Sequence, residues 1–205
     1  KLVFVITLVI ISVNFYEWVV KRSYFEYSDW LINYQGGFTR RGLVGEFLFV
    51  LHSFTNIRLD LLLYLLVVTL YIFFFYFLFK ILDKTNLNFL NTLIIFSPLS
   101  FIYPLSSKSL VGRKEILLFF LITIFFYKFE KIKFKNIKYF LILFFLFTSL
   151  THFGFAFYYP FLILFFVYFY NNKTPRDLIL QLLPVCLVAL TICLSLIYVT
   201  FYNKP

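Results

Sequence analysis

The chain has 205 residues, of which 62% are hydrophobic, 25% aromatic and only 14% charged, with mean hydropathy +0.92 and formal net charge +10. A soluble globular domain runs nearer half apolar and a quarter charged, so the composition excludes that class and points to an all-α, polytopic transmembrane bundle. The positive balance lies among long apolar runs, where it reads as loops touching anionic headgroups; a lipid bilayer is the expected partner and nucleic acid is not.

The runs are continuously apolar, which also argues against a barrel with alternating lipid-facing and lumen-facing residues. The chain begins at Lys1 and contains no Met, predicting that its true start lies upstream and that 1–205 is a fragment of a single transmembrane domain. Leu2–Val20 reads as the first spanning helix. No small-residue cleavage site follows it, so it is not a signal peptide, and Trp18 near its end fits an interfacial anchor.

Between this helix and the next apolar run lies a polar stretch from Asp29 to Glu46, with four of the chain's six glycines (Gly36, Gly37, Gly42 and Gly45). A glycine-rich polar loop cannot satisfy its backbone in lipid, so it must lie in water or against protein. Asp29 and Glu46 are candidates for general base or metal ligand, and Arg40 and Arg41 suit forked hydrogen bonding of phosphate oxygens. Gly36, Gly37 and Gly42 are expected to turn the backbone at positive φ and let it approach a ligand. A plainer reading is a headgroup-level loop whose arginines touch lipid phosphate.

Leu43–Phe54 reads as a short helix lying along the interface, and Leu59–Phe79 as the second span. Leu87–Tyr103, interrupted by Pro98 and ended by Pro104, is expected to be the third. Ser106, Ser107, Lys108, Arg113, Lys114 and Glu115 then make a second anion-friendly patch, although Glu115 also suits the positive end of the helix it opens. Ile116–Phe129 is the fourth span, followed by a basic connector of Lys128, Lys131, Lys133, Lys135 and Lys138.

Tyr139–Tyr170 fits either one overlong, tilted helix or two short ones broken at His152–Gly154, and Pro160 favours the break, so two helices are expected. His152 is a lone histidine, either a hydrogen-bonded structural residue or part of a site. Asn171–Asp177 is a loop, and Leu178–Tyr202 the last span, with Pro184 inside it. Cys186 and Cys193 lie two turns apart, about 10 Å along one helix, too far to pair.

This gives about seven spans. Placing the lysine-rich connector in the cytoplasm puts the N-terminus inside, and all three polar constellations on the outer face of a bacterial inner membrane. No P-loop, dinucleotide fingerprint, zinc spacing or nucleophile elbow is present, so a substrate must come from the membrane.

An acid-bearing first outer loop, then short helices and further polar loops on the same face, resembles the GT-C class of integral-membrane glycosyltransferases. The string Asn33–Glu46, with Gly112-Arg113-Lys114-Glu115 later, also resembles uncharacterised bacterial membrane proteins of surface-polysaccharide synthesis. The resemblance implies a polyprenyl-(di)phosphate-linked sugar donor and a role in cell-envelope polysaccharide or glycolipid assembly. It implies that Asp29, or secondly Glu46, activates the acceptor, while Arg40, Arg41, Lys108, Arg113, Lys114 and His152 attend the phosphate. The adjacent acid pair usual in that class is absent; Mg²⁺ or Mn²⁺ is left open, with no ligand set defined. Two other readings use the same residues: a transporter or flippase for a lipid-linked anion, and a non-catalytic component of an assembly complex.

Overall fold

The computed structural model describes residues 2–21, 25–37, 39, 41–84, 88–89, 112–129, 131–152, 158–170 and 172–202. Helix makes up 82% of the structure, and there is no strand among the described residues. The elements are α1 (Leu2–Lys21), α2 (Phe25–Leu31), α3 (Leu43–Thr55), α4 (Leu59–Leu82), α5 (Glu115–Phe129), α6 (Ile137–Thr151), α7 (Tyr159–Phe169) and α8 (Pro175–Tyr202).

Two helices among the described residues, Leu59–Leu82 and Pro175–Ser195, are long and apolar enough to cross a membrane. The expected break near His152 is present, since α6 ends at Thr151 and α7 begins at Tyr159. The expected third span, Leu87–Tyr103, falls almost wholly outside the described residues.

α4 is the axis of one half of the molecule. Its buried stripe (Leu63, Val67, Leu70, Tyr71, Phe74 and Leu78) recurs at helical spacing and meets residues of α1, α2, α3 and α5. α1 is antiparallel to it: Glu17 and Val20 near the end of α1 share a cavity wall with Asp60, Leu61 and Tyr64 at the start of α4. α5 runs parallel to α4. Phe119 meets Phe74, Phe120 meets Phe73 and Phe77, and Tyr127 meets Phe77 and the ammonium of Lys84.

This register sets the depth of everything that follows. Glu115, the first residue of α5, is within electrostatic reach of Tyr71, twelve residues into α4 and therefore about 18 Å from that helix's start. α3 differs from the expected surface-lying helix. Asn56, in the left-handed conformation at φ 56°, ends it and allows a tight return into α4. Leu43, Val44 and Phe47 then lie against Leu66 and Leu70, so α3 runs back along the first half of α4. Burying Val44, Gly45 and Leu48 holds it there.

The second half is an aromatic-packed set of α5 to α8. Phe125 stacks on Phe140 at 4.8 Å, Phe145 meets Tyr159 edge-on at 4.6 Å, and Phe134 stacks on Phe166 at 5.8 Å, so successive helices alternate in direction. Thr174 opens α8, its hydroxyl accepting from the Asp177 backbone N–H at 3.2 Å. Four lysines gather at one end: Lys80, Lys84 and Lys128 lie over tyrosines of α4 and α5, and Lys173 over Phe134.

Candidate functional site

The loop after α2 is shaped by short-range chemistry. Asn33 Oδ1 accepts from the Gln35 N–H at 3.1 Å, and the Gly37 N–H donates to the Tyr34 carbonyl at 3.0 Å, closing a tight turn. Gly37, at φ +115°, has the expected left-handed freedom. Gly36 and Gly42 do not use it. Gly36 faces open space, while Gly42 has φ −84° and lies where a Cβ would come 2.5 Å from the Tyr34 ring. The tightest approach is at Gly45, where a Cβ would stand 1.9 Å from the Ile32 carbonyl oxygen, so α3 abuts the backbone leaving α2.

Glu46, in the first turn of α3, closes this arrangement. One carboxylate oxygen accepts from the Tyr34 N–H at 3.0 Å and the other from Gln35 Nε2 at 2.8 Å. Glu46 therefore braces the turn, and it does not line the cavity that gathers the other charges.

That cavity, of about 230 Å³, is lined by Asp29 and Arg41 from the first polar stretch, by Gly112 to Glu115, and by His152 at the end of α6. Three segments far apart in sequence thus meet at one place. Trp30 is fully buried, and its indole N–H donates to the Gly112 carbonyl, pinning the second segment to α2.

Asp29 is held from two sides: Oδ1 lies 3.3 Å from Arg41 Nη1, and Oδ2 lies 3.5 Å from Lys114 Nζ. Lys114, only 1% exposed, also donates to the Arg41 carbonyl at 3.1 Å. Arg113 pairs with Glu115 at 3.6 Å. Burial pushes the Lys114 pKa below the ordinary lysine value, while Asp29 pulls it back up. Burial, and next the charge of Arg41, lower the His152 pKa.

Counting lining groups, Arg41, Arg113 and Lys114 stand against Asp29 and Glu115, leaving one net positive charge when His152 is neutral. Forked guanidinium donors with a positive excess suit a phosphate-like anion. Mg²⁺ or Mn²⁺ does not fit: although Asp29, Glu115 and His152 line the same cavity, no three of His, Cys, Asp and Glu among the described residues stand close enough to hold one ion, and cations interleave the two carboxylates.

Of the residues singled out from the sequence, Asp29, Arg41, Arg113, Lys114 and His152 are brought together, whereas Arg40 and Lys108 lie outside the described residues. Trp30, Gly45 and the carbonyl of Gly112 were not singled out. An indole next to Asp29 and a glycine at the start of a helix were their only signals, and neither reveals its partner. Comparison of the chain with protein-family models, with curated proteins and with solved structures finds no match.

Proposed function

We propose that this chain is a polytopic membrane protein of about seven spans that binds the phosphate of a lipid-linked sugar and transfers the sugar, as a GT-C-like glycosyltransferase of the bacterial envelope. The observation carrying this reading is the convergence of Arg41, Arg113 and Lys114 on one small cavity from two segments about seventy residues apart. Large apolar side chains left exposed on α1, α4, α7 and α8 support a lipid setting, since faces of that extent are unfavourable in water. Placing the lysine-rich end in the cytoplasm puts the N-terminus inside and the cavity toward the outer half of the membrane.

In this reading the cations neutralise charge developing on the departing phosphate. Asp29, with both oxygens engaged, fixes Arg41 and Lys114 in place. His152, kept neutral by burial and by Arg41, takes the proton of the acceptor hydroxyl as its oxygen bonds to the sugar and the bond to phosphate breaks. The test is an Asp29→Asn and an Arg113→Ala variant expressed at normal levels in cells lacking the native chain. Both should stop glycan synthesis and accumulate the lipid-linked sugar; unchanged synthesis in both would sink the transferase reading.

One observation favours a transporter as the second reading. The cavity lies level with the middle of α4, where the ends of α2, α3, α5 and α6 converge, and transporters place their sites among broken helices at that depth. A transporter keeps moving substrate with Asp29→Asn, expressed at normal levels, but loses that movement with Arg41→Ala or Arg113→Ala.

A further inference from the structure

A second cavity, of about 400 Å³ and almost purely apolar, begins one helical turn from the charged one. The two share three elements. Arg41 lines the first and Leu43 and Val44 the second; Glu115 lines the first and Leu117 and Leu121 the second; His152 lines the first and Phe147 the second. Leu66 of α4 completes the wall. Phe47 and Phe147, 58% and 38% exposed, stand at its open edge, so the groove opens sideways on the apolar flank of the molecule.

We propose that this groove seats the hydrocarbon chain of a lipid phosphate whose head occupies the charged cavity. The inference rests on the reading of that cavity as an anion seat for a lipid-linked phosphate, and adds where the proximal tail lies and how much of it the protein holds. Charge complementarity selects the occupant. A neutral lipid gains nothing from the net positive cavity one turn away, and a free phosphate leaves the groove empty.

The groove also sets a length. A cavity of about 150 Å³ holds one benzene, so this one accommodates roughly fifteen carbon atoms, or about three isoprene units. Units beyond the third lie outside, in lipid. Affinity therefore rises with chain length up to that point and then levels off, whereas simple partitioning into a bilayer grows with every added unit.

The experiment measures binding of inorganic phosphate, geranyl phosphate, farnesyl phosphate and geranylgeranyl phosphate to the full chain in bilayer discs. Farnesyl phosphate should bind roughly tenfold or more tighter than geranyl phosphate, with little further gain for geranylgeranyl phosphate. Leu121→Trp and Leu66→Trp, which fill the groove, should erase that gain and leave inorganic phosphate binding unchanged. Phe147→Ala, which removes wall contacts without adding bulk, should weaken farnesyl phosphate alone and serves if a tryptophan variant does not fold. Affinity that climbs steadily with chain length, or that ignores all three groove variants while Arg113→Ala weakens every probe, overturns the groove and spares the anion seat. If Arg113→Ala changes nothing, the anion seat falls and the groove with it.

Discussion

Lys114 Nζ stands 3.5 Å from Asp29 Oδ2, with the lysine side chain almost completely enclosed. A charge in that position is tolerated because Asp29 and the Arg41 carbonyl face it, and removing one partner of such a pair typically costs about 3 kcal/mol. Asp29→Asn should therefore lower the thermal midpoint in detergent, and Lys114→Met should recover part of that loss when combined with it. A double-mutant cycle reads the coupling directly; strictly additive effects would show that the two groups do not sense each other.

Gly45 and Gly36 form an internal control for the glycine-rich stretch. Gly45→Ala drives a Cβ into the Ile32 carbonyl, whereas Gly36→Ala meets open space. The first should cost about 2–3 kcal/mol as an overpacked contact between α2 and α3. The second should be neutral or slightly stabilising through the unfolded chain, by about 0.5 kcal/mol. Equal midpoints for the two variants would contradict the close crossing.

Trp30→Phe keeps an aromatic ring, though a smaller one, and removes the donor that holds the Gly112 carbonyl. Leaving that buried carbonyl without its partner costs about 1–3 kcal/mol, and the freed segment carries Arg113, Lys114 and Glu115. Phosphate affinity should fall along with the thermal midpoint. A stability loss with unaltered affinity would separate this pin from the site.

By sequence Asp29 was the first candidate acid and Glu46 the second, and the structure gives them different settings. Glu46→Gln keeps a side-chain oxygen for the Tyr34 N–H and should retain most function, whereas Glu46→Ala should loosen the turn, and Asp29→Asn should abolish function even where folding survives. Side-by-side activity and thermal midpoints of the three variants make the comparison.

His152 titrates below the ordinary histidine value, chiefly because it is half-buried and next because Arg41 is near. The unfolded chain then takes up the proton first as pH falls. Stability contributed by neutral His152 is whole above the ordinary value, declines below it, and is lost once pH reaches the lowered folded value. Thermal midpoints of wild type and His152→Gln should run together at neutral pH and separate below it, with the wild type falling faster. Arg41→Gln removes one cause of the shift and should narrow the gap.

Much of the helical layout was legible because apolar runs and turn chemistry agree locally. α1 and α5 start or end within a residue or so of the expected limits, and Gly154 after His152 flagged the break that follows α6. The site was legible in parts. Arg41, Arg113 and His152 stood out as costly residues in an apolar chain, which is a property of each residue alone. What brings them together is not local: the Trp30 bond to Gly112 spans 82 positions, and the parallel register of α4 and α5 arises from aromatic packing that no spacing announces. α2 was hidden for a different reason, being only seven residues long and half polar. The level of Glu115 along α4, beside Tyr71, was not legible either, because the polar loops were expected beyond the helix ends.

That depth has an electrical consequence. With α4 across the membrane, Glu115 and its neighbours lie about halfway along it, beside Tyr71. A headgroup moving between the outer surface and the cavity then traverses about half of the transmembrane voltage, worth about 1 kcal/mol per elementary charge for each 100 mV. An anion drawn inward from the outer leaflet works against an inside-negative potential, and one leaving is helped by it. On the proposed reading, occupancy of the cavity by such a headgroup is coupled to the energised state of the cell, so collapsing the potential in sealed vesicles should raise it with no change in any contact.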